Sequence, residues 1–256
     1  MKASHFLKCL ACFSSVLLAW MAAAAPMGIL VPAYFYPPAG WDGLNFAASQ
    51  VPLWVIVNPD NGPGAARDSN YAAAVNRLRA AGGRVMGYVH TAYAARDTNA
   101  VEGDIRAFFN FYPLDGIFID EMASDANPRH YNYYAGLDQF IRMRGNNLFV
   151  MGNPGTTTQE PYLATVNALL TFENFAGYSH YTADRWVTKY PAQEFCHVIY
   201  GVTNAAAMTN DIRLAMRRNV GWIYVTDEAN NPYARLPSYW TNEVNYVRSL
   251  NQADGK

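Results

Sequence analysis

Eight short apolar runs recur along this chain, most ending in polar or aromatic residues on the C-terminal side: Gly28–Phe35, Pro52–Asn58, Arg84–His90, Gly116–Asp120, Leu148–Gly152, Ala168–Glu173, Cys196–Gly201 and Gly221–Thr226. Runs this short, rich in β-branched and aromatic residues and without a polar face, read as strands buried on both sides. Such strands belong to parallel sheets covered by helices. Segments of helical character separate most of them: Asp68–Ala81, Thr98–Phe109, Tyr131–Arg144, Gln159–Val166 and Asn204–Arg218, with Pro237–Leu250 after the last run. None is assigned between the first two runs, and the aromatic stretch Tyr178–Ala192 reads partly as loop. Strict alternation over roughly 230 residues fits a closed (β/α)8 TIM barrel better than an open sheet. Proline and glycine are spread through the turns and no linker interrupts the pattern, so residues 26–256 read as a single domain.

The first 25 residues read differently. Lys2 and Lys8 precede the apolar stretch Cys9–Met21, and Ala22–Ala25 supplies small residues for cleavage, the pattern of an export signal. A secreted or periplasmic protein is therefore expected, with no stable membrane association once the signal is removed. Of the three cysteines only Cys196 survives that cleavage, so an intramolecular disulfide is not expected.

Composition narrows the ligand class. A net charge of -1 with 15% charged residues leaves no electrostatic footprint for nucleic acid. Eighteen Tyr and six Trp in a nearly neutral chain suit a hydroxyl-rich partner such as a polysaccharide. The five histidines show no paired spacing on one element, so neither a metal nor another cofactor is expected. A monomer is expected.

In a parallel barrel, sites are built at the C-terminal ends of the strands. Those ends carry Tyr34 and Tyr36, Asn58, Tyr88 and His90, Asp120 and Glu121, Asn153, Glu173, Tyr200, and Asp227 with Glu228. Turn chemistry accounts for an Asn-Pro or an Asp at such positions, but not for a Glu, a His and several Tyr. Asp120 and Glu173 come from strands two apart around the mouth and can face each other across a cleft. Paired carboxylates are the minimum apparatus of glycoside hydrolysis, and a separation of about 5–5.5 Å would mean retention of configuration. Glu173 follows Leu169–Phe172, an apolar setting that favours its protonated form, whereas Asp120 at a strand end is expected to stay ionised. Glu121 should point away from Asp120 by strand alternation unless the strand ends between them. Tyr34, Tyr36, Asn58, Tyr88, His90, Tyr93, Asn153, His180 and Tyr181 are candidate sugar-binding residues, and Arg96 can pair with an acid or with an anionic group on the polymer.

Several stretches carry a family resemblance: Pro32–Pro37 (PAYFYP), Val57–Gly64 (VNPDNGPG), Gly87–Arg96 (GYVHTAYAAR), Asp115–Glu121 (DGIFIDE), Gly152–Gly155 (GNPG) and Phe172–Glu173. Together they resemble the spherulation-specific, spherulin-four-like family, whose fungal members are glycoside hydrolases acting on α-1,4-linked N-acetylgalactosamine polymers. The resemblance implies a (β/α)8 barrel with a carbohydrate cleft, with Asp120 as nucleophile, Glu173 as general acid/base and Glu121 as a supporting acid. An endo-acting exopolysaccharide hydrolase is the expectation. The rivals are a non-catalytic carbohydrate-binding or structural surface protein on the same barrel and a metal-dependent polysaccharide deacetylase.

Overall fold

In the computed structural model, which describes residues 25–254, the apolar runs form β1 (Gly28–Ala33), β2 (Leu53–Val57), β3 (Arg84–His90), β4 (Gly116–Asp120), β5 (Phe149–Gly152), β6 (Ala168–Asn174), β7 (Phe195–Ile199) and β8 (Trp222–Val225). Each pairs in parallel with its neighbours, and β8 returns to β1, closing the barrel in sequence order. The export segment lies outside the described residues apart from Ala25. Among the described residues no helix is long and apolar enough to cross a membrane.

Among the described residues six α-helices surround the barrel: α1 (Trp41–Ala48), α2 (Ser69–Ala80), α3 (Thr98–Phe111), α4 (Pro128–Arg142), α5 (Ala205–Arg217) and α6 (Trp240–Asp254). Asp68, Asp97, Asn127 and Asn204 cap α2 to α5, each side chain accepting backbone N–H groups of the first turn. The unassigned α1 is present because Trp41, Leu44 and Ala47 make an apolar stripe that buries against the barrel, although its eight residues include Gly43 and follow two prolines. The expected helix over Gln159–Val166 is instead a 3-10 turn, Glu160–Thr165, and Tyr178–Ala192 is a series of short 3-10 turns. Both stretches carry proline, and the second closes its wall with aromatic rings in place of a helix.

Which side chains enter the barrel follows from close approaches. A Cβ on Gly87 would stand 2.6 Å from the Phe108 ring of α3, so Gly87 faces the helices and its neighbours Met86, Tyr88 and His90 face inward. The register pairs Tyr88 with Phe118 and His90 with Asp120, which places Phe118 and Asp120 inside as well. Rings close the opposite, N-terminal end: Trp54 stacks on Phe149 at 4.8 Å, meets Trp222 at 6.4 Å and lies under the Arg84 guanidinium. The mouth at the C-terminal end is left polar.

Candidate active site

One amide organises that mouth. Asn153, just beyond β5 and 6% exposed, donates through its Nδ2 to Asp120 Oδ1 and to Glu173 Oε2, both at 2.7 Å. The two carboxyl oxygens therefore stand no more than twice 2.7 Å apart. Each acid has a second donor: Tyr88 gives its hydroxyl to Asp120 Oδ2 at 2.7 Å, and Tyr233, from the loop after β8, gives its hydroxyl to Glu173 Oε1. Tyr34 fills the space behind them, edge-on to Tyr88 and Tyr233 with ring centroids 5.7 and 5.2 Å away.

Asp120 faces the cleft by regular register, whereas Glu173 and Glu121 reach it because β6 and β4 break regular alternation. Leu170 pairs with Cys196 on the inner side, so regular alternation would turn Phe172 inward and Glu173 outward. A β-bulge intervenes between Leu170 and Phe172. Thr171 then bonds His197 on the outer wall at 3.1 Å, and Phe172 packs on His197, Tyr178 and Tyr181. Glu173 is thereby re-aimed inward, a common use of a bulge beside a site. At β4 the strand ends at Asp120, and Glu121 takes a left-handed conformation with φ 50°. Its carboxylate turns toward the mouth, where it accepts the Ala92 N–H at 3.1 Å and stands 3.5 Å from His90 Nδ1.

The loop after β3 holds this arrangement under strain. Ala92, Tyr93 and Ala94 are all left-handed, a conformation that costs roughly 1–2 kcal/mol for each non-glycine residue. Thr91 offsets it by donating to the backbone oxygens of Asp120 and Glu121, while the Tyr93 N–H reaches Glu121 O at 2.8 Å. The result is an open cleft of ≈ 240 Å³ between Tyr93, Glu121, the Asn153–Gly155 turn and the two acids.

Burial raises the pKa of both acids, and their hydrogen-bond donors work against that rise. For Asp120 the opposing groups are the Tyr88 hydroxyl, the Glu121 backbone and the Asn153 amide, with the Glu121 charge adding to the rise. For Glu173 they are the Tyr233 hydroxyl and the Asn153 amide, and the charge of Asp120 pushes its pKa up further. Asp120 is thus drawn upward as well, which its position at a strand end did not suggest. Such a pair, raised by burial and held in check by oriented donors, suits proton transfer.

A model of the spherulation-specific family 4 matches residues 28–247 of the chain. The chain belongs to this family. It is 33% identical over 239 residues to Spherulin-4 of Physarum polycephalum, covering 88% of this chain and 71% of that one. Among solved structures it is similar to Sph3 of Aspergillus clavatus, determined in complex with GalNAc, at 25% identity and a TM-score of 0.78 over 87% of this chain and 98% of the other. A chitinase from Bacteroides thetaiotaomicron shares the fold, with 9% identity and a TM-score of 0.56 over 90% of this chain and 98% of its own.

In this family 4 barrel the candidates named from sequence separate into distinct places. Asp120, Glu121, Glu173, Asn153 and Tyr93 line the cleft, with Tyr34, Tyr88 and His90 directly behind it. Asn58 instead accepts the Gly62 N–H and fixes its own loop. Tyr36 is bound to the start of α2 through Asp68 and Asn70. Tyr181 lies on the outer wall against Phe172 and His197, and His180 is exposed beside it, bonded to Ser179. These last two belong to the 3-10 turn Tyr178–His180 and the residue after it, outside β6 rather than at the cleft. Arg96 pairs with Asp104 of α3 at 2.6 Å and donates to His90 O. Tyr233 was not found from sequence. It follows Asn231-Pro232 in a loop without periodicity, and only the folding of that loop over the mouth brings it to Glu173.

Proposed function

We propose that this protein is an exported glycoside hydrolase that cleaves α-1,4-linked galactosamine or N-acetylgalactosamine exopolysaccharide within the chain, with retention of configuration. The observation that carries this reading is the single Asn153 amide donating to both carboxyl groups. It keeps one oxygen of each acid within twice 2.7 Å of the other, which supports the spacing of about 5–5.5 Å of retaining glycosidases over the about 6.5–9.5 Å of an inverting pair that admits a water. The bound GalNAc in Sph3 supports the sugar class.

The chemistry follows from the two environments. Asp120 and Glu173 share one cleft, and the charge of Asp120 favours keeping the proton on Glu173. The Asp120 carboxylate attacks the anomeric carbon as Glu173 passes its proton to the departing glycosidic oxygen, leaving a glycosyl ester on Asp120. Glu173, now ionised, takes a proton from water, whose oxygen attacks the same carbon and releases Asp120. Glu121, with its Oε2 3.5 Å from His90 Nδ1, places its carboxyl group near where the oxocarbenium-like transition state develops positive charge.

The test follows the anomeric proton of the first-formed product by NMR during digestion of an α-1,4-galactosamine-containing exopolysaccharide. Initial α-anomer is expected; initial β-anomer would make Asp120 a base for water. Mass spectrometry of the same digest should show oligomers of several sizes, whereas release of monosaccharide alone would exclude internal cleavage.

A further inference from the structure

Phe175 stands 67% exposed at the barrel mouth, just past Glu173 on the same strand end. It is held firmly there. Asn174 Oδ1 accepts the backbone N–H groups of Phe175 at 2.7 Å and of Ala176 at 3.4 Å, closing a tight turn that presents the ring to solvent. The Tyr200 ring backs it at 6.0 Å, tilted by 44°, and the Tyr200 N–H bonds Asn174 O at 3.2 Å. Gly201, with φ 73°, sits against the same turn: a Cβ there would lie 3.6 Å from that of Phe175, ordinary van der Waals contact. A lone exposed Phe is ordinary. This one has a fixed backbone, an aromatic backing and a place beside a paired-acid cleft.

We propose that Phe175, backed by Tyr200, is the stacking platform for the sugar on the leaving-group side of the cleaved bond. This rests on the glycoside hydrolase reading. The acid that protonates the glycosidic oxygen stands next to the departing sugar, and Phe175 lies two residues beyond that acid, Glu173. Tyr93, 62% exposed, marks the other side of the cleft beside Glu121. Between the two rings a pyranose chain crosses both acids, with the apolar C–H face of its departing sugar on Phe175. Two flanking platforms also fit cleavage within a chain better than cleavage at its end.

The test uses the mature protein carrying Asp120→Asn, titrated with α-1,4-linked galactosamine/N-acetylgalactosamine oligosaccharides, with and without Phe175→Ala or Phe175→Trp. Forfeiting about half the burial of a Phe side chain corresponds to roughly tenfold weaker binding. Phe175→Ala should raise Kd by about that factor, and Phe175→Trp should restore it. In the active enzyme the same change should raise KM while kcat moves far less. Unchanged Kd for Phe175→Ala would overturn the proposal, as would a loss that Phe175→Trp fails to restore, or no binding by the Asp120→Asn protein. If the Asp120→Asn protein binds while the wild-type protein does not cleave the polymer, the hydrolase reading fails and the Kd comparison still decides the platform.

Discussion

Asp120 and Glu173 are set apart from the other acids of the chain by standing half-buried at the mouth, each with two donors on its carboxylate. The amide variants Asp120→Asn and Glu173→Gln keep shape and volume, so their effect should fall on turnover. Each should lower kcat by a factor of about 100 to 10,000, the range expected for losing a general acid or a nucleophile's charge. Thermal melts should stay within a few degrees of wild type. A fall in Tm that tracks the loss of activity would mean that the pair serves the fold instead. Glu121 is a different kind of residue. It is more open to solvent and held by Ala92 and His90, and in the proposed reaction it forms no bond.

At the scale of elements, the site depends on where regular structure is interrupted. The β6 bulge, the left-handed end of β4 and the loop after β8 each deliver one functional group. The last gives a signed prediction. Tyr233 donates to the ionised form of Glu173 and so holds its pKa down against burial. Tyr233→Phe removes that donor, and the Glu173 pKa rises. In the proposed mechanism Glu173 acts protonated and Asp120 ionised, so the alkaline limb of the kcat profile should move to higher pH while the acid limb moves less. A profile displaced on its acid limb alone would exchange the two roles.

For the whole molecule, the seam where the barrel closes is the costly place. β1 and β8 pair only at Gly28 and Ile29 with Trp222 and Ile223. Beyond them, fully buried Glu243 of α6 accepts the Val225 N–H at 2.9 Å, and its other carboxyl oxygen has no partner among the described residues. Burial holds the Glu243 pKa well above the usual carboxylate range. The group is then neutral when folded and ionised when unfolded above roughly pH 4.3. Its contribution is fully present below that pH and is lost progressively as pH rises toward the folded pKa. Glu243→Gln cannot ionise, so wild type should lose stability relative to this variant between pH 4 and pH 8. Denaturant titrations of both proteins across that range test it, and parallel pH curves would show that Glu243 does not titrate between the folded and unfolded states.

Strand number, strand order and the polar end of the barrel that holds the candidate cleft were legible in the chain itself, because burial on both faces forces continuous apolar runs and only their solvent-facing ends tolerate polar groups. Asp120 and Glu173 were legible for the same reason, as acids at the ends of such runs. Helix α1 was hidden by glycine and proline around a short stripe, and the wall outside β6 has no helical periodicity to read. The facing of Glu173 was decided only in three dimensions, since alternation along β6 points it outward and a bulge fitted to His197 reverses it. Tyr233, Tyr200 and Phe175 meet the site through loops whose paths depend on what they pack against. Local pattern determines which segments are buried; the contacts between distant segments determine where each side chain points.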